Sequence, residues 1–232
     1  MEPEFFRFPH TPHLAWLGAG QPRDDKVLST SEARDLLSGV VVVEEKLDGA
    51  NLGFSLDADA RLRVQNRGHC LVAPFSGQFA RLASWLTRHG DTIAAALVDG
   101  HMLFGEWCAA RHTVPYTGLP DWFVVFDVCD RAQGRFWSAA RRNALAQKLG
   151  LSHVPQLMSG RLTLAQIQKE LGSQPSRYRE GPMEGVVVRR ETTQWCESRA
   201  KLVRTDFTQA IDDHWRKRVV EWNRLAVPAG QA

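Results

Sequence analysis

The stretch VVVVEEKLDGAN, residues 40–51, joins a run of four valines to a short polar segment. A run of β-branched apolar residues is typical of a buried strand. The strand is predicted to end in a polar turn at residues 45–51, and Asp48-Gly49 is a common turn dipeptide. Lys46 therefore follows a buried strand directly, so that a rigid element would hold its side chain at the edge of a cleft.

The sequence on both sides of this stretch predicts more strands than helices. Capping boxes at Ser29/Glu32 and Thr163/Gln166 predict the starts of two helices. Further helices are predicted at 76–89, 138–149 and 206–225, and further strands at 52–56, 61–67, 101–107, 121–128, 183–190 and 195–203. Short turns join many of the strands, which favours an α+β fold with mostly antiparallel sheets over a doubly wound parallel fold.

The composition is that of an ordinary globular protein, with 44% hydrophobic and 24% charged residues and a net charge of +3. The basic run at residues 214–218 could contact phosphates or form a solvated helix face. The four cysteines form no CxxC pair, which argues against a zinc ribbon and favours reduced thiols in a cytoplasmic protein. No segment approaches the ~18 apolar residues that a membrane span needs.

Ionisable residues recur inside or at the ends of the predicted apolar strands. Besides Lys46 they are Arg67, Glu106, Asp127, Glu184, Lys201 and Arg204. Such groups are costly in an apolar strand unless they are paired or bound to a ligand. Several of them converging on one cleft would indicate a binding site.

Six segments containing these residues occur in a characteristic order. They are EKLDGAN (45–51), QNRG (65–68), FGEW (104–107), VVFDV (124–128), EGVVV (184–188) and AKLVRTDF (200–207). The set resembles the covalent nucleotidyltransferase superfamily, and most closely its RNA ligase family in the branch typified by RNA ligase 2. It is similar to the small bacterial members of that family. The resemblance implies an ATP-grasp-like ligase adenylation domain, with sheets flanking a nucleotide cleft.

The resemblance also implies a covalent reaction at Lys46. Its amine would attack the α-phosphate of ATP, release pyrophosphate and carry AMP, with Mg²⁺ or Mn²⁺ as the metal. The AMP would then activate RNA ends, nicked or single-stranded, for sealing of a 3′-OH to a 5′-phosphate. A free lysine has a pKa of about 10.4. We expect Lys201, Arg67 and the metal to lower the pKa of Lys46.

Three further residues take nucleotide or metal roles by this resemblance. Glu106 would accept hydrogen bonds from the ribose hydroxyls. Phe126 would stack on the adenine through its flat apolar face, with a core aromatic as the structural alternative. Glu184 would bind or position the divalent metal as a hard oxygen ligand, with a strand-end salt bridge as the alternative.

The remaining matched residues would contact phosphates or flank the nucleophile. Lys201 would contact the α-phosphate, and Arg67 and Asn51 would contact phosphates of the nucleotide or of the RNA 5′ end. Glu45 would shape the adenine pocket, partly through its backbone. Asp48 is equally well explained as part of the turn itself.

Two departures from the family pattern bear on complete ligation. The last motif often carries Lys-x-Lys, but Val203 occupies the second lysine position and Arg204 follows one residue later. Only 25 residues follow Phe207, too few for the OB-fold that such ligases usually carry. We therefore expect a single nucleotidyltransferase domain over residues 1–232, with no separate C-terminal OB or RNA-binding domain.

Two other readings of the motifs remain open. A DNA ligase or a GTP-dependent capping-type nucleotidyltransferase shares the KxDG motif, and nucleotide choice and strand competition would separate these enzymes. A non-catalytic protein that binds nucleotide or RNA is the second, and Val203 favours it. The reactive side chains retained in the other motifs argue against it.

Overall fold

The seven predicted strands belong to a sheet that has eleven strands within the part of the chain that the structure describes, and the other four strands were not predicted. The structure is a computed structural model, and it describes residues 5–18, 26–97, 100–210 and 220–227, with only the main chain described at 208–210. None of the helices in these ranges is long and apolar enough to cross a membrane. All four cysteines are free thiols.

Five helices and eleven strands occur in the described ranges. The helices are α1 (Thr30–Leu36), α2 (Leu82–Ala96), α3 (Ala139–Lys148), α4 (Leu164–Ser173) and α5 (Thr205–Ala210). The strands are β1 (Val41–Lys46), β2 (Ala50–Leu56), β3 (Leu62–Gln65), β4 (Cys70–Leu71), β5 (His101–Trp107), β6 (Phe123–Asp130), β7 (Arg135–Trp137), β8 (Ser152–His153), β9 (Gln156–Gly160), β10 (Gly185–Glu191) and β11 (Trp195–Val203).

The strand order is β4-β3-β2-β5-β6-β7-β11-β10-β1-β9, and neighbouring strands in this order are antiparallel. The short strand β8 lies off this path and pairs in parallel with β6. The sheet is open, with β4 and β9 at its two ends. The predicted α+β class with mostly antiparallel pairing is confirmed.

The sheet has two halves, each with its own apolar core. One core lies between α2 and strands β2, β5 and β6, and it includes Phe54, Trp85 and Phe123. The other contains residues of α1, α4, β1, β10 and β11, among them Val43 and Val188. Alternate residues of a strand point to opposite faces, so Val41 and Val43 of β1 and Val186 and Val188 of β10 enter this core while the residues between them face the other way.

The chain crosses from one half to the other between β1 and β2. Strand β1 lies between β9 and β10, whereas β2 lies between β3 and β5. The connection between them consists of residues 47–49 alone, so it is shorter than the turn predicted at residues 45–51. Asp48 anchors it, because its carboxylate accepts hydrogen bonds from the main-chain N–H groups of Thr113 (2.6 Å) and Val114 (3.0 Å). Lys46, the last residue of β1, consequently lies at the boundary between the halves.

Both predicted capping boxes are confirmed, at Ser29/Glu32 and at Thr163/Gln166. The helix predicted at 76–89 instead begins at Leu82, after a short 3₁₀ turn, and continues to Ala96.

The helix predicted at 206–225 is wrong at its C-terminal end. Residues 205–210 are helical, whereas residues 211–219, including the basic run, lie outside the described residues. Trp222 and Leu225 form isolated bridges with Ala110 and Leu119. Asn223 is buried there, where its amide accepts a hydrogen bond from the N–H of Tyr116 and donates to the carbonyl of Cys108. These tertiary hydrogen bonds hold the segment in a non-helical conformation.

Gly105 on β5 provides a test of the packing between the neighbouring strands β5 and β6. A Cβ at this position would collide with the ring of Phe123 and lie 2.7 Å from the carbonyl oxygen of Val124. We expect Gly105→Ala to lower the free energy of unfolding by about 1–3 kcal/mol, the usual cost of overpacking. Urea unfolding measures this change. Gly172→Ala on α4, where no atom lies within 4 Å of the added Cβ, is the control and should not destabilise the protein. Equal unfolding midpoints for the two variants would contradict this account.

Candidate active site

A cavity of about 340 Å³ opens between the two halves of the sheet, beside the β1–β2 connection. Strands from both halves line it, as do residues near the N-terminus. Seven of the eight site residues expected from the sequence lie on its wall: Glu45, Lys46, Asn51, Arg67, Glu106, Phe126 and Lys201. The eighth, Glu184, is in contact with the side chain of Lys46. The structure thus brings all eight residues to one place.

Lys46 forms an ion pair with Glu184. The Nζ atom of Lys46 donates to both carboxylate oxygens of Glu184, at 2.6 and 2.7 Å. The antiparallel register of β1 and β10 sets this contact, because Lys46 lies opposite Gly185. A Cβ on Gly185 would lie 2.5 Å from the carbonyl oxygen of Leu202 on β11, so only glycine permits the close approach of these strands.

The charges around Lys46 raise the pKa of its amine above the ordinary value. Burial acts in the opposite direction, but the carboxylates of Glu184, Glu106 and Asp48 outweigh it. The expectation that Lys201 and Arg67 would lower this pKa is therefore wrong for the protein without ligands. Three carboxylates surround one ammonium group, so the amine binds its proton more tightly than a free lysine does.

The same cluster raises the pKa values of two of its acids. Burial raises the pKa of Glu184 to about 7, against the opposing effect of the Lys46 ammonium. Burial also raises the pKa of Glu106 to about 7, with Glu184 and Asp48 adding to the effect. One oxygen of Glu106 accepts a hydrogen bond from the N–H of Gly49 at 2.9 Å. Within the described residues its other oxygen, Oε2, has no such bond.

Two polar atoms on residues of the cavity wall are buried without a hydrogen-bond partner among the described residues. They are Oδ1 of Asn51 and Nε of Arg67. Buried polar atoms are nearly always hydrogen-bonded, so an unpaired donor and acceptor in one cavity indicate a polar ligand. The guanidinium of Arg67 is suited to phosphate, which it can bind through several N–H groups.

Glu45 differs from the other expected residues because its carboxylate lies on the opposite face of β1. It accepts hydrogen bonds from the hydroxyl of Ser176 at 2.6 Å and from the N–H of Arg177 at 2.9 Å. Burial raises its pKa although these hydrogen bonds oppose the shift. Its side chain therefore anchors the segment around Ser176, which leaves the main chain of Glu45 to border the cavity.

Phe126 lies on the cavity wall with its main chain fixed from behind. The carbonyl oxygen of Phe126 accepts a hydrogen bond from Nη1 of Arg142 at 2.6 Å. Arg142 lies on α3, is fully buried and also pairs with Glu44. The ring of Phe126 is only partly buried, so it is both a core aromatic and a wall of the cavity.

A buried ionic network forms the inner end of the cavity, and sequence reasoning missed most of it. Asp127 accepts from Nη1 of Arg189 and from Nη1 of Arg199, both at 2.8 Å. Glu44, Asp127, Arg189 and Arg199 all line the cavity. The sequence did contain a signal for this network. Side chains two residues apart in a strand point to the same face, so Glu44 lies on the face of Lys46 and Arg199 on the face of Lys201.

A second and larger cavity, of about 660 Å³, lies on the other side of the loop that carries Arg67. Asn66, His69, Phe75, Arg111 and His112 are among its lining residues. It contains none of the eight expected residues, although Asn66 and His69 flank Arg67 in the chain.

A bound metal would depend on oxygen atoms of the substrate as well as on the protein. No group of three or more His, Cys, Asp or Glu side chains in the described ranges is arranged to hold a metal ion. Mg²⁺ is commonly held by one or two carboxylates together with phosphate oxygens and water. The carboxylates of Glu184 and Glu106 fit that mode of binding.

Comparison with known proteins identifies the family. A family model described as RNA ligase matches residues 39–203. The chain belongs to the RNA ligase family. This family match spans all the strands that line the cavity, from β1 to β11. A search of curated proteins found no match to this chain.

Solved structures of Naegleria gruberi RNA ligase share the fold of this RNA ligase family member. An arginine-to-alanine variant with ATP and manganese gives a TM-score of 0.64 at 17% identity, covering 89% of this chain and 58% of that one. The enzyme with pyrophosphate gives 0.61 at 17% identity, covering 88% and 63%. A glutamate-to-alanine variant with AMP and manganese gives 0.59 at 16% identity, covering 88% and 63%. The chain thus spans about three fifths of the Naegleria proteins.

The raised pKa of Glu106 predicts a pH dependence of stability. Between pH 4.5 and 7 the unfolded chain loses this proton while the folded protein keeps it, so the free energy of unfolding falls as the pH rises. Glu106→Gln removes the titration but keeps an acceptor for the N–H of Gly49. We expect the wild type to lose about 1–3 kcal/mol relative to this variant across that range. Denaturant unfolding at several pH values measures it, with exposed Glu180→Gln as the control. A constant difference between wild type and Glu106→Gln would refute the assignment.

Proposed function

We propose that this protein is an ATP-dependent RNA ligase that adenylylates RNA ends through AMP bound covalently to Lys46. The observation that carries the proposal is the position of the Lys46 amine, which Glu184 holds beside a cavity lined by Asn51 and Arg67. Each of these two residues has a buried polar atom without a hydrogen-bond partner among the described residues. Membership of the RNA ligase family supports it. So does the shared fold of Naegleria gruberi RNA ligase, which has been solved with ATP, AMP, pyrophosphate and manganese.

The first step of the proposed reaction transfers AMP to the lysine. The neutral amine of Lys46 attacks the α-phosphorus of ATP, a P–N bond forms, and the P–O bond to the β-phosphate breaks. Pyrophosphate leaves with the bonding electrons. Because Lys46 is protonated in the free protein, its ammonium must first release a proton to solvent water, and only then does the neutral amine attack.

Glu184 couples nucleotide binding to this deprotonation. In the free protein its two oxygens stabilise the ammonium of Lys46. A divalent ion held by Glu184 would take up the negative charge of this carboxylate, which would then no longer favour the charged amine, and the pKa of Lys46 would fall. The ion would also neutralise charge on the phosphates during the displacement.

The other cavity residues would bind the nucleotide. Phe126 offers its ring to the adenine, and the free oxygen of Glu106 accepts a ribose hydroxyl. Arg67 donates from its unpaired Nε to a phosphate, and Lys201 adds positive charge beside it. Because strands from both halves supply these groups, we propose that the two halves act together as one nucleotidyltransferase domain.

The RNA end would enter from the larger cavity. The loop at residues 66–69 contributes to both cavities, with Asn66 and His69 lining the larger one and Arg67 the smaller one, so a 5′-phosphate bound at this loop would lie near the nucleotide site. AMP then passes from Lys46 to that phosphate, with cleavage of the P–N bond. Attack by a 3′-OH on the activated phosphate releases AMP and seals the strand.

The test of the first step is covalent labelling. With α-labelled ATP and Mg²⁺ or Mn²⁺, the wild type should give a labelled protein band, and Lys46→Ala should give none because the nucleophile is gone. Lys169→Ala, an exposed lysine on α4, is the matched control and should label like the wild type. GTP should label poorly. A wild type that binds ATP tightly but stays unlabelled would contradict the proposal and favour a non-catalytic nucleotide-binding protein.

The strand preference is tested with a panel of substrates. We expect sealing of nicked RNA or of pre-adenylylated RNA, and weaker sealing of nicked DNA, in gel assays of joined product. Pre-adenylylated RNA bypasses the first two steps, so it should be sealed without ATP. Preferential sealing of nicked DNA would overturn the RNA assignment and favour a DNA ligase.

A further inference from the structure

The N-terminal segment, defined here as residues 5–14, lies outside the part of the chain that the family model matches, yet it borders the nucleotide cavity. It runs beside β11, where the N–H of Lys201 donates to the carbonyl of Pro12 at 2.8 Å and the N–H of Leu14 donates to the carbonyl of Lys201 at 2.7 Å. Both main-chain polar groups of Lys201 are thus bonded to this segment.

Phe8 is the residue of this segment that contacts the proposed adenine-stacking ring. It is 3% exposed, and its ring centroid lies 5.3 Å from that of Phe126 in an edge-on arrangement. Phe104 and Phe136 complete its aromatic surroundings, at 4.9 and 5.5 Å. Phe8 also lines the cavity itself, together with Thr11.

A second contact joins Phe8 to the ionic network at the inner end of the cavity. The guanidinium carbon of Arg199 lies 4.9 Å from the ring centroid of Phe8, and Nη1 of Arg199 donates to Asp127, the residue after Phe126. Phe8 therefore contacts the ring of Phe126 directly, and it is linked to Asp127 through Arg199. The N-terminal segment is further anchored by Gln65, whose side-chain N–H donates to the carbonyl of Phe6 at 2.7 Å.

From these contacts we propose that Phe8 is a positioning residue for nucleotide binding, which holds the ring of Phe126 at the angle that the purine requires. A phenylalanine ring turns about two side-chain bonds, and only its neighbours fix its plane. The hydrogen bond from Arg142 holds Phe126 at its main-chain carbonyl. The edge-on contact with Phe8 supplies that constraint, so losing it weakens the binding of ATP. The inference rests on the proposed function, because it assigns Phe126 to the adenine.

The test replaces Phe8 by residues that fill its space without a rigid plane. Phe8→Leu and Phe8→Met are compared with the wild type, and Phe8→Met is included because a flexible thioether side chain adapts to the site with little loss of packing. Equilibrium binding of a non-hydrolysable ATP analogue and the ATP dependence of Lys46 labelling are measured, together with the melting temperature. Phe54→Leu, in the core beneath α2 and away from the cavity, is the control for lost stability.

We expect both Phe8 variants to raise the Kd for the analogue and the KM for ATP by about 3- to 10-fold, the range that one aromatic contact corresponds to. The labelling rate at saturating ATP should stay within about twofold of the wild type, because Phe8 touches no reacting atom. Phe54→Leu should lower the melting temperature without changing Kd or KM.

Wild-type Kd and KM in a folded Phe8→Met or Phe8→Leu protein would overturn the inference. So would a fall in the saturating rate with no change in Kd. Failure of the proposed function gives a different result, in which the wild type binds the analogue but is never labelled. The Kd comparison still decides the role of Phe8 in that case.

Discussion

The ion pair between Lys46 and Glu184 is the contact on which the site depends. The two residues are 138 positions apart in the chain, and the antiparallel register of β1 and β10 brings them together. On its other side β10 pairs closely with β11, where a side chain at Gly185 would collide with the main chain of Leu202. The position of the amine is therefore set by main-chain pairing, and a strand register is more rigid than any loop.

The charge balance around this pair explains why the free site holds its lysine protonated. Three carboxylates face one ammonium group, and burial strengthens their interaction. Arg67 and Lys201 act on the same carboxylates, and Asn51 and Arg67 each have a buried polar atom without a hydrogen-bond partner among the described residues. A nucleotide with a divalent ion supplies positive charge to the carboxylates and phosphate to the arginine. The geometry thus favours a ligand in which both charges are present together.

The sequence predicted the elements and the membership of the site better than it predicted the chemistry of the site. The two-residue period and the capping boxes are local signals, and strands such as β5 and helices such as α4 were predicted from them. The six ordered motifs contain the eight expected site residues, of which seven line one cavity and the eighth, Glu184, contacts Lys46 beside it. The raised pKa of Lys46 in the protein without ligands was not predicted, because it depends on the positions of Glu184 and Glu106, which no motif encodes.

Long-range contacts account for the other errors. Glu44, Arg142 and Arg189 form buried pairs between distant segments, so their role appears only once the sheet is assembled. The non-helical course of residues 220–225 depends on Asn223, whose hydrogen bonds reach Cys108 and Tyr116. A helical pattern in the sequence carries no information about these tertiary hydrogen bonds, and tertiary contacts can override local helix propensity.

Mapping of the AMP adduct by peptide mass spectrometry tests the central claim most directly. The protein is incubated with ATP and a divalent ion, digested, and searched for peptides that carry one AMP group. The account predicts a single modified residue, Lys46, with an acid-labile P–N linkage that added pyrophosphate reverses before digestion. An adduct on any other side chain, or consumption of ATP with Lys46 unmodified throughout, would contradict it.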